Sequence, residues 1–258
     1  MEELLLKNNN HQKTINMNNL IKFSLAISLI IFGCGDIMAQ WGKKVVGNGN
    51  VTTRTVNTSN YDAIVATGSM DVHLQKGSEG TITVKTDENL QEYIIVEVEN
   101  GALKIRTKKN TSLKTKKGIH VYVPFNDISE VSLTGSGDID TEDTIESDDL
   151  EIRITGSGDV NLDVSANTVE ATVTGSGDIV VNGNTTDLEV RVTGSGDFDG
   201  DGLRSENTEA FVSGSGDVSV YASKYLKARV SGSGDIKYDG NPEKKDTKVS
   251  GSGSIKSN

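Results

Sequence analysis

Residues 169–179 read Val-Glu-Ala-Thr-Val-Thr-Gly-Ser-Gly-Asp-Ile, and the tetrapeptide within them, Gly-Ser-Gly-Asp, occurs six times in the chain. The copies recur with a period of about 20 residues, which is typical of one coil of a stacked repeat protein. The sequence therefore predicts a solenoid. The six complete copies occupy 135–138, 156–159, 175–178, 194–197, 214–217 and 232–235, and a seventh copy that ends in serine is Gly251-Ser252-Gly253-Ser254.

Apolar and polar residues alternate on the N-terminal side of each tetrapeptide. Val173 and Ala171 lie two and four residues before Gly175, and Thr172 lies between them. A period of two residues indicates a β-strand with one buried face. Another apolar residue follows each tetrapeptide, as Ile179 does here. Each coil is therefore predicted to hold two short strands.

The glycines of each tetrapeptide are predicted to form the corner between the two strands, because glycine tolerates positive φ and close approach of another backbone. The second corner of each coil is predicted at pairs such as Ala166-Asn167 and Thr185-Thr186. The fold class is therefore all-β, a parallel β-helix or solenoid of two-strand coils of about 19–20 residues, with neighbouring coils about 4.8 Å apart. The predicted turn glycines are Gly135, Gly137, Gly156, Gly158, Gly175, Gly177, Gly194, Gly196, Gly214, Gly216, Gly232, Gly234, Gly251 and Gly253.

The remainder of the chain is less regular. Asn100-Gly101 is a strong signal for a two-residue hairpin, and the strands around it are predicted to be atypical first coils that cover the N-terminal end of the stack. The predicted segments are a signal peptide at 1–39, of which 1–16 is extra sequence if Met17 is the true start; a linker or entry segment at 40–60; an irregular N-terminal part of the solenoid at 61–126; and the regular repeats at 127–256.

The N-terminal segment predicts export. Lys22 precedes an apolar run from Phe23 to Phe32, which has the length of a signal-peptide core and is too short to span a membrane. Two processing routes are open: cleavage after Ala39, or lipidation of Cys34, which follows a loose lipoprotein pattern. Both place the protein in the periplasm, on the outer-membrane surface or outside the cell. A chain cleaved after Ala39 contains no cysteine and can form no disulfide.

The chain is acidic, with a formal net charge of −11 at pH 7. Removal of 1–39 leaves this value unchanged, because that segment holds three acidic and three basic residues. A strongly negative chain is a poor partner for nucleic acid and for anionic lipid surfaces. The predicted partners are a glycan, an envelope or host surface protein, or another copy of the chain that pairs with the open end of the stack.

Several stretches together match a known pattern: Trp41-Gly42-Lys43-Lys44, Gly47-Asn48-Gly49-Asn50, Tyr61-Asp62-Ala63-Ile64, Gly68-Ser69-Met70-Asp71-Val72, Asn100-Gly101-Ala102-Leu103-Lys104-Ile105 and the Gly-Ser-Gly-Asp series. They resemble the family of putative auto-transporter adhesin head domains, also called GIN domains, over roughly residues 48–256. The resemblance implies a pectin-lyase-like β-solenoid on secreted or envelope proteins of Gram-negative bacteria, with adhesion proposed and no enzyme activity assigned.

The aspartates that end the tetrapeptides are predicted to stack about 4.8 Å apart in one column. Like charges at that distance repel unless something compensates them. Two hypotheses are open: each carboxylate accepts backbone N–H bonds within its own turn, or the column binds calcium, which prefers oxygen ligands. No other cofactor is predicted. The column consists of Asp138, Asp159, Asp178, Asp197, Asp217 and Asp235.

A carbohydrate lyase or hydrolase on a solenoid needs clustered carboxylates with a basic residue on one face. Three clusters are candidates: Glu151 with Arg153, Glu189 with Arg191, and Asp199 with Asp201 and Arg204. Charge pairing between neighbouring strands is the plainer explanation for alternating Glu and Arg. His73 and His120 are far apart in the sequence, and no zinc-ligand spacing or phosphate loop is present. An enzyme is therefore not predicted.

A column of hydroxyl residues directly precedes the glycines, and its members suit either packing between coils or contact with a glycan. The predicted function is a non-catalytic, adhesin-like binding module that presents such columns to a glycan or protein surface. The alternatives are a polysaccharide-active enzyme and a purely structural envelope protein. The hydroxyl residues are Thr134, Thr155, Thr174, Thr193, Ser213, Ser231 and Ser250.

Overall fold

A computed structural model describes residues 42–258, so the predicted signal peptide, with Met17, Cys34 and Ala39, lies outside the described residues. One short 3-10 helix, Glu88–Tyr93, interrupts a chain of β-strands. The strands are β1 (Lys43–Val46), β2 (Val51–Asn57), β3 (Ala63–Gly68), β4 (Asp71–Lys76), β5 (Thr81–Asp87), β6 (Ile94–Glu99), β7 (Ala102–Thr107), β8 (Thr111–Lys114), β9 (His120–Phe125), β10 (Glu130–Gly135), β11 (Ile139–Thr141), β12 (Ile145–Gly156), β13 (Val160–Gly175), β14 (Ile179–Gly194), β15 (Phe198–Asp199), β16 (Leu203–Gly214), β17 (Val218–Tyr221), β18 (Tyr225–Gly232), β19 (Ile236–Asp239), β20 (Lys244–Gly251) and β21 (Ile255–Ser257).

Two ladders of parallel strands run the length of the stack. The first ladder contains β7 and then the strands that lead into the glycine corners, in the order β7, β3, β10, β12, β13, β14, β16, β18 and β20. The second contains β9 and then the strands that leave the corners, in the order β9, β4, β11, β13, β14, β15, β17, β19 and β21. The register follows the repeat, because Gly175 lies opposite Gly156 and Gly194. The predicted all-β solenoid of stacked parallel coils is confirmed.

The inward side chains form continuous apolar columns between the two ladders. Val160, Ile179, Phe198 and Val218 occupy one column in successive coils, and all four are buried. Burial of an aliphatic or aromatic side chain of this size contributes about 1.5–3 kcal/mol. Each coil therefore depends on its neighbours to cover its interior, as expected for a stacked repeat.

The second corner of the middle coils lies at the predicted pairs, but it is a bend within a strand and not a separate turn. β13 and β14 run without interruption through the expected corners at Ala166-Asn167 and Thr185-Thr186. Ala166 and Val169 are successive inward residues of β13, three positions apart instead of two. An extra residue of this kind bends a strand in the manner of a β-bulge. The coil therefore turns through a bent strand, which needs neither glycine nor proline and leaves little trace in the sequence.

Antiparallel strands cover the N-terminal end of the stack. β6 pairs with β7 through the predicted hairpin, in which Asn100 and Gly101 have φ of 54° and 81°. β5 pairs antiparallel with β9, and β2 pairs antiparallel with β5. Segment 40–60, expected to be a linker or entry segment, therefore contributes β1 and β2, and β2 belongs to the main sheet.

The last coil of the described residues is much less buried. Every residue of β20 is exposed, and Val249, at an inward position, is 41% exposed. The strand carries Lys244, Lys245 and Lys248, and lysines on an edge strand oppose pairing with another chain. Self-association through this end stays a prediction.

The two glycines of each corner meet different requirements. Gly175 has a φ of +122°, and the first glycines of the other copies have φ between +124° and +140°. Gly177 does not have a positive φ, but a Cβ atom there would overlap the carbonyl oxygen of Gly158 in the preceding coil. The N–H groups of Ser176 and Gly177 both donate to the carbonyl oxygen of Gly156, at 2.8 and 3.1 Å. Consecutive corners thus contact one another backbone to backbone.

This geometry predicts a large loss of stability for Gly175→Ala. The new Cβ meets both a φ of +122° and the Gly156 carbonyl oxygen, so we expect the free energy of unfolding to fall by about 3 kcal/mol or more. Gly101→Ala is the matched control, because Gly101 has a φ of +81° with nothing within 4 Å of the added Cβ. That change should cost only about 1–2 kcal/mol. Denaturant unfolding followed by circular dichroism measures both values, and equal losses would contradict the close-approach argument.

Candidate functional site

The aspartate column joins each coil to the next. The backbone N–H groups of Asp159, Asp178, Asp197, Asp217 and Asp235 donate to Oδ1 of the preceding aspartate, at 2.7–3.1 Å. Each of these carboxylates therefore accepts a hydrogen bond from the following coil, and not from its own turn as expected. Among residues 42–258, no three His, Cys, Asp or Glu side chains are grouped so that they could hold a metal ion. Calcium binding by Asp138, Asp159, Asp178, Asp197, Asp217 and Asp235 stays a prediction.

The glutamate and arginine clusters are ion pairs along single strands. Glu151 pairs with Arg153 on β12, and Glu189 pairs with Arg191 on β14. Each pair consists of outward residues two positions apart on one strand. These carboxylates are therefore compensated by neighbouring cations, but the ion pairs form along one strand and not between strands as expected.

The third cluster spans the turn between β15 and β16, with Asp199 at the end of β15, Asp201 in the turn and Arg204 on β16. The N–H group of Asp201 donates to Asp199 Oδ1 at 3.0 Å. Desolvation, reinforced by the carboxylates of Asp199 and Asp239, raises the pKa of Asp201. The guanidinium group of Arg204 stacks on the ring of Tyr221, with 4.4 Å to its centroid. The arginine is thus occupied by an aromatic contact.

An open groove of about 370 Å³ lies on the outer face of the first ladder, near its C-terminal end. We call it the cationic groove and define it by two columns of outward residues. The first column lies three residues before the glycines, and the second lies directly before them. The residues are Arg191, Phe211, Arg229 and Lys248 in the first column and Thr193, Ser213, Ser231 and Ser250 in the second.

Phe211 is the centre of the cationic groove. The guanidinium group of Arg191 lies 4.5 Å from the centroid of its ring, and the Lys227 ammonium group lies 5.2 Å from it. Arg229 also pairs with the Asp246 carboxylate and donates to the Asp246 carbonyl oxygen at 2.7 Å. Arg191, Lys227 and Arg229 also form ion pairs with Glu189, Glu209 and Asp246, respectively. Among residues 42–258, Lys248 is the groove cation that forms no ion pair. The groove therefore combines an aromatic surface with several cations, most of which an acidic residue already partners.

The hydroxyl column lies fully on the outer face. Thr193, Ser213, Ser231 and Ser250 are all exposed, and parallel register places Ser213 beside Thr193 and Ser231. A hydroxyl group can donate one hydrogen bond and accept two. The column therefore offers hydrogen-bonding groups to a ligand that lies along the stack.

The second ladder holds a cluster that sequence reasoning missed. His73 on β4 and His120 on β9 are distant in the chain, but His73 Nε2 lies 3.1 Å from His120 Nδ1. Asp140 Oδ2 lies 2.9 Å from His73 Nδ1, and Asp71 Oδ2 lies 3.6 Å from His120 Nδ1. Tyr122 packs against His73, with 5.0 Å between ring centroids. No tetrapeptide precedes His120, so the pairing of β9 with β4 could not be read from the repeat.

The aspartate column predicts a pH-dependent effect of Asp235→Asn. Hydrogen bonds from the side chain and backbone of Ser254 hold the pKa of Asp235 below its ordinary value. This stabilisation is present above the unfolded pKa and is lost as the pH falls through the lowered folded pKa. We expect Asp235→Asn to lower the melting temperature by a few degrees at pH 7, and the difference from the wild type to shrink as the pH falls below the ordinary aspartate pKa of about 3.9.

Asp163→Asn is the matched control, because Asp163 is an exposed aspartate of β13 outside the column. Its melting temperature should follow that of the wild type across the pH range. A difference for Asp235→Asn that persists at low pH would show that the carboxylate charge is not responsible. Calcium titration of the wild type tests the metal hypothesis separately: a melting temperature that calcium and chelator leave unchanged favours the hydrogen-bonding role.

Comparison with solved structures supports the fold. A putative adhesin from Bacteroides fragilis has a TM-score of 0.80 and 23% identity, and the match covers 83% of this chain and 100% of that chain. A putative lipid binding protein from Parabacteroides distasonis has a TM-score of 0.71 and 28% identity, with 84% and 100% covered. A putative adhesin from Parabacteroides merdae has a TM-score of 0.68 and 20% identity, with 84% and 99% covered. No curated protein matches the sequence.

Within residues 42–258, no helix is long and apolar enough to cross a membrane.

The family model described as putative auto-transporter adhesin, head GIN domain, matches residues 60–242. This match covers well over half of the chain and agrees with the resemblance carried by the glycine corners. The chain therefore belongs to the family of putative auto-transporter adhesin head GIN domains.

Proposed function

We propose that this protein is a non-catalytic, adhesin-like module of the cell envelope or exterior, and that its cationic groove binds an anionic glycan. The observation that carries the proposal is the contact of the Phe211 ring with Arg191 and Lys227, beside a column of exposed hydroxyl groups. Family membership and the adhesin-like relatives support the general role. The glycan class is argued from the groove.

A stack of coils presents the same kind of group at regular intervals. Strands in one ladder are about 4.8 Å apart, so Thr193, Ser213 and Ser231 repeat along the face at that spacing. A polymer of sugar units also repeats its hydroxyl groups along its length. A repeating surface therefore suits a chain-like carbohydrate better than it suits a compact small molecule.

The cations favour a ligand with carboxylate or sulfate groups. Arginine donates paired hydrogen bonds to such anions, and the side chain of Arg191 is 55% exposed. Lys248 adds a further positive charge at the end of the groove. The ring of Phe211 offers an apolar surface for the C–H face of a sugar. A uronic-acid or sulfated polysaccharide carries all of the complementary groups.

A catalytic role finds less support in the same structure. Glu151 and Glu189 are each paired with an arginine on their own strand, and the groove is lined by cations, hydroxyl groups and apolar side chains. A polysaccharide-active enzyme needs a free acid and base at the bond to be cleaved. Binding without cleavage is the function that this arrangement supports best.

We expect the purified protein to be retained by anionic glycans on an array, and Phe211→Ala to weaken that binding about tenfold, the loss typical of one buried anchor at an interface. Arg191→Gln should weaken binding and reduce its salt dependence, because it removes an exposed charge. Lys237→Gln on the second ladder is the matched control and should bind as the wild type does.

Three outcomes would contradict the proposal. Equal retention on neutral and anionic glycans would remove the role of the cations. Release of shortened sugars from the same glycans would establish an enzyme instead. Retention on anionic lipid vesicles but on no glycan would favour a lipid surface, in line with the name of the Parabacteroides distasonis relative. Circular dichroism of each variant confirms that the coils remain folded.

A further inference from the structure

The first glycine corner of the stack, at Gly68, has backbone donors that no corner before it accepts. In the next coil, the N–H groups of Ser136 and Gly137 both donate to the Gly68 carbonyl oxygen, at 2.9 and 3.2 Å. The equivalent N–H groups of Ser69 and Met70 have no hydrogen-bond acceptor among residues 42–258. Two neighbouring backbone N–H groups therefore point out of the N-terminal end of the corner column.

The corner is open because β7 and β9 are not joined by a glycine corner of their own. β7 pairs with β3 and β9 pairs with β4, so the strands on both sides of the corner are covered. The connection from β7 to β9 leaves the stack instead and forms β8, which pairs with β1. A strand-covered coil with an uncovered corner is the result.

The close contacts around added Cβ atoms show the same difference. A Cβ on Gly135 would lie 2.1 Å from the Gly68 carbonyl oxygen, the atom that accepts both N–H groups. For a Cβ on Gly68, the nearest atom outside its chain neighbours is Met70 Cε, 3.7 Å away. No backbone oxygen of the described residues therefore occupies the corresponding position at Gly68.

A cleft of about 470 Å³ lies over this corner. We call it the corner cleft and define it by its polar lining. The corner supplies backbone groups, and the connection from β7 to β9 supplies hydroxyl groups and a cation. The polar lining consists of Gly68, Ser69, Thr107, Thr111, Ser112 and Lys114.

The connection from β7 to β9 also carries cations that have no acidic partner. Lys108 pairs with Glu92 at 3.7 Å, but the other lysines of this connection are exposed and form no ion pair among residues 42–258. The cations of the cationic groove differ, because most of them are paired. The unpaired lysines are Lys109, Lys114, Lys116 and Lys117.

The carboxylate that contacts the lining of the cleft is itself neutralised by hydrogen bonds. Asp87 is buried and accepts from Thr115 Oγ1 and from the Gly49 N–H group, both at 2.6 Å. Backbone N–H groups that point into a concave site attract anions, and the lysines add positive charge. The corner cleft therefore favours an anionic ligand.

We propose that the corner cleft binds the carboxylate group of a sugar acid. One carboxylate oxygen accepts from the N–H groups of Ser69 and Met70, in the place that a glycine carbonyl oxygen takes in the regular corners. Both are planar oxygen acceptors, and the negative charge of the carboxylate makes its hydrogen bonds the stronger ones. Lys114, which lines the cleft, offsets the remaining charge.

The rest of the lining matches a sugar ring. Thr107, Thr111 and Ser112 present hydroxyl groups, each of which can donate one hydrogen bond and accept two. A volume of about 470 Å³ is in the range of small-molecule sites, and β7 and β9 prevent another coil from stacking on the corner. The corner cleft and the cationic groove share no lining residue, so this proposal does not depend on the groove.

We expect glucuronate to shift the backbone N–H signals of Ser69 and Met70 in NMR spectra of the isotope-labelled protein, because both groups gain an acceptor. The N–H groups of Ser136 and Gly137 already donate to the Gly68 carbonyl oxygen and are the internal control, so their signals should stay in place. Glucose, which has the same ring without the carboxylate, should shift none of these signals.

Gly68→Ala should abolish the shifts, because its Cβ would point at the position of the incoming oxygen. Gly101→Ala is the matched control, since Gly101 also has a positive φ and lies outside the cleft. Lys114→Gln should weaken glucuronate binding about two- to fivefold, the loss expected for one exposed charge. This second variant decides the question if circular dichroism shows that Gly68→Ala is unfolded.

Several results would overturn the proposal. Ser69 and Met70 signals that glucuronate leaves in place would remove the site. Equal shifts with inorganic sulfate, or tighter binding of a short acidic peptide, would overturn the assignment to a sugar acid. Phe211→Ala changes the groove alone, so it should leave the glucuronate shifts unchanged, and failure of one proposed site remains distinguishable from failure of the other.

Discussion

Backbone contact between consecutive glycine corners is the constraint on which the rest of the structure depends. A Cβ on Gly177 would overlap the carbonyl oxygen of Gly158, and the same relation holds between Gly196 and Gly177. Because the corners meet without side chains, the carbonyl oxygen of Gly156 can accept from both Ser176 and Gly177. These bonds set the vertical register, and a shift of one residue would turn every inward side chain outward.

The inward and outward side chains of the stack are consequently constrained in different ways. The inward column that contains Val160, Ile179 and Phe198 must stay apolar, because each member is buried between its neighbours. The outward column three residues before the glycines changes freely, from Thr172 to Arg191 to Phe211 in successive coils. A binding surface can therefore arise on this fold through outward substitutions that leave the coil unchanged.

Sequence reasoning succeeded where the repeat carried the information. The spacing of the tetrapeptides identified the solenoid, and the hairpin signal at Asn100-Gly101 located the turn between β6 and β7. The same alignment could have predicted the groove, because residues three positions before each glycine must stack in one column. That column was not singled out because it contains no single residue type. The bend in β13 could not be predicted from the sequence, because no distinctive side chain marks the extra residue near Asn167. Signal cleavage, lipidation of Cys34 and calcium binding remain predictions.

The cationic groove lies on coils that keep the regular register. The extra residue of the coil from Gly194 to Gly214 falls between Asp199 and Leu203, and Arg191 lies opposite Phe211 as the repeat requires. The groove therefore arises through outward substitutions alone. The histidine cluster arises differently, because it lies where the regular coils meet the cap. There β9 pairs with β4 although no tetrapeptide precedes β9, and this change of neighbouring strand places one imidazole against another.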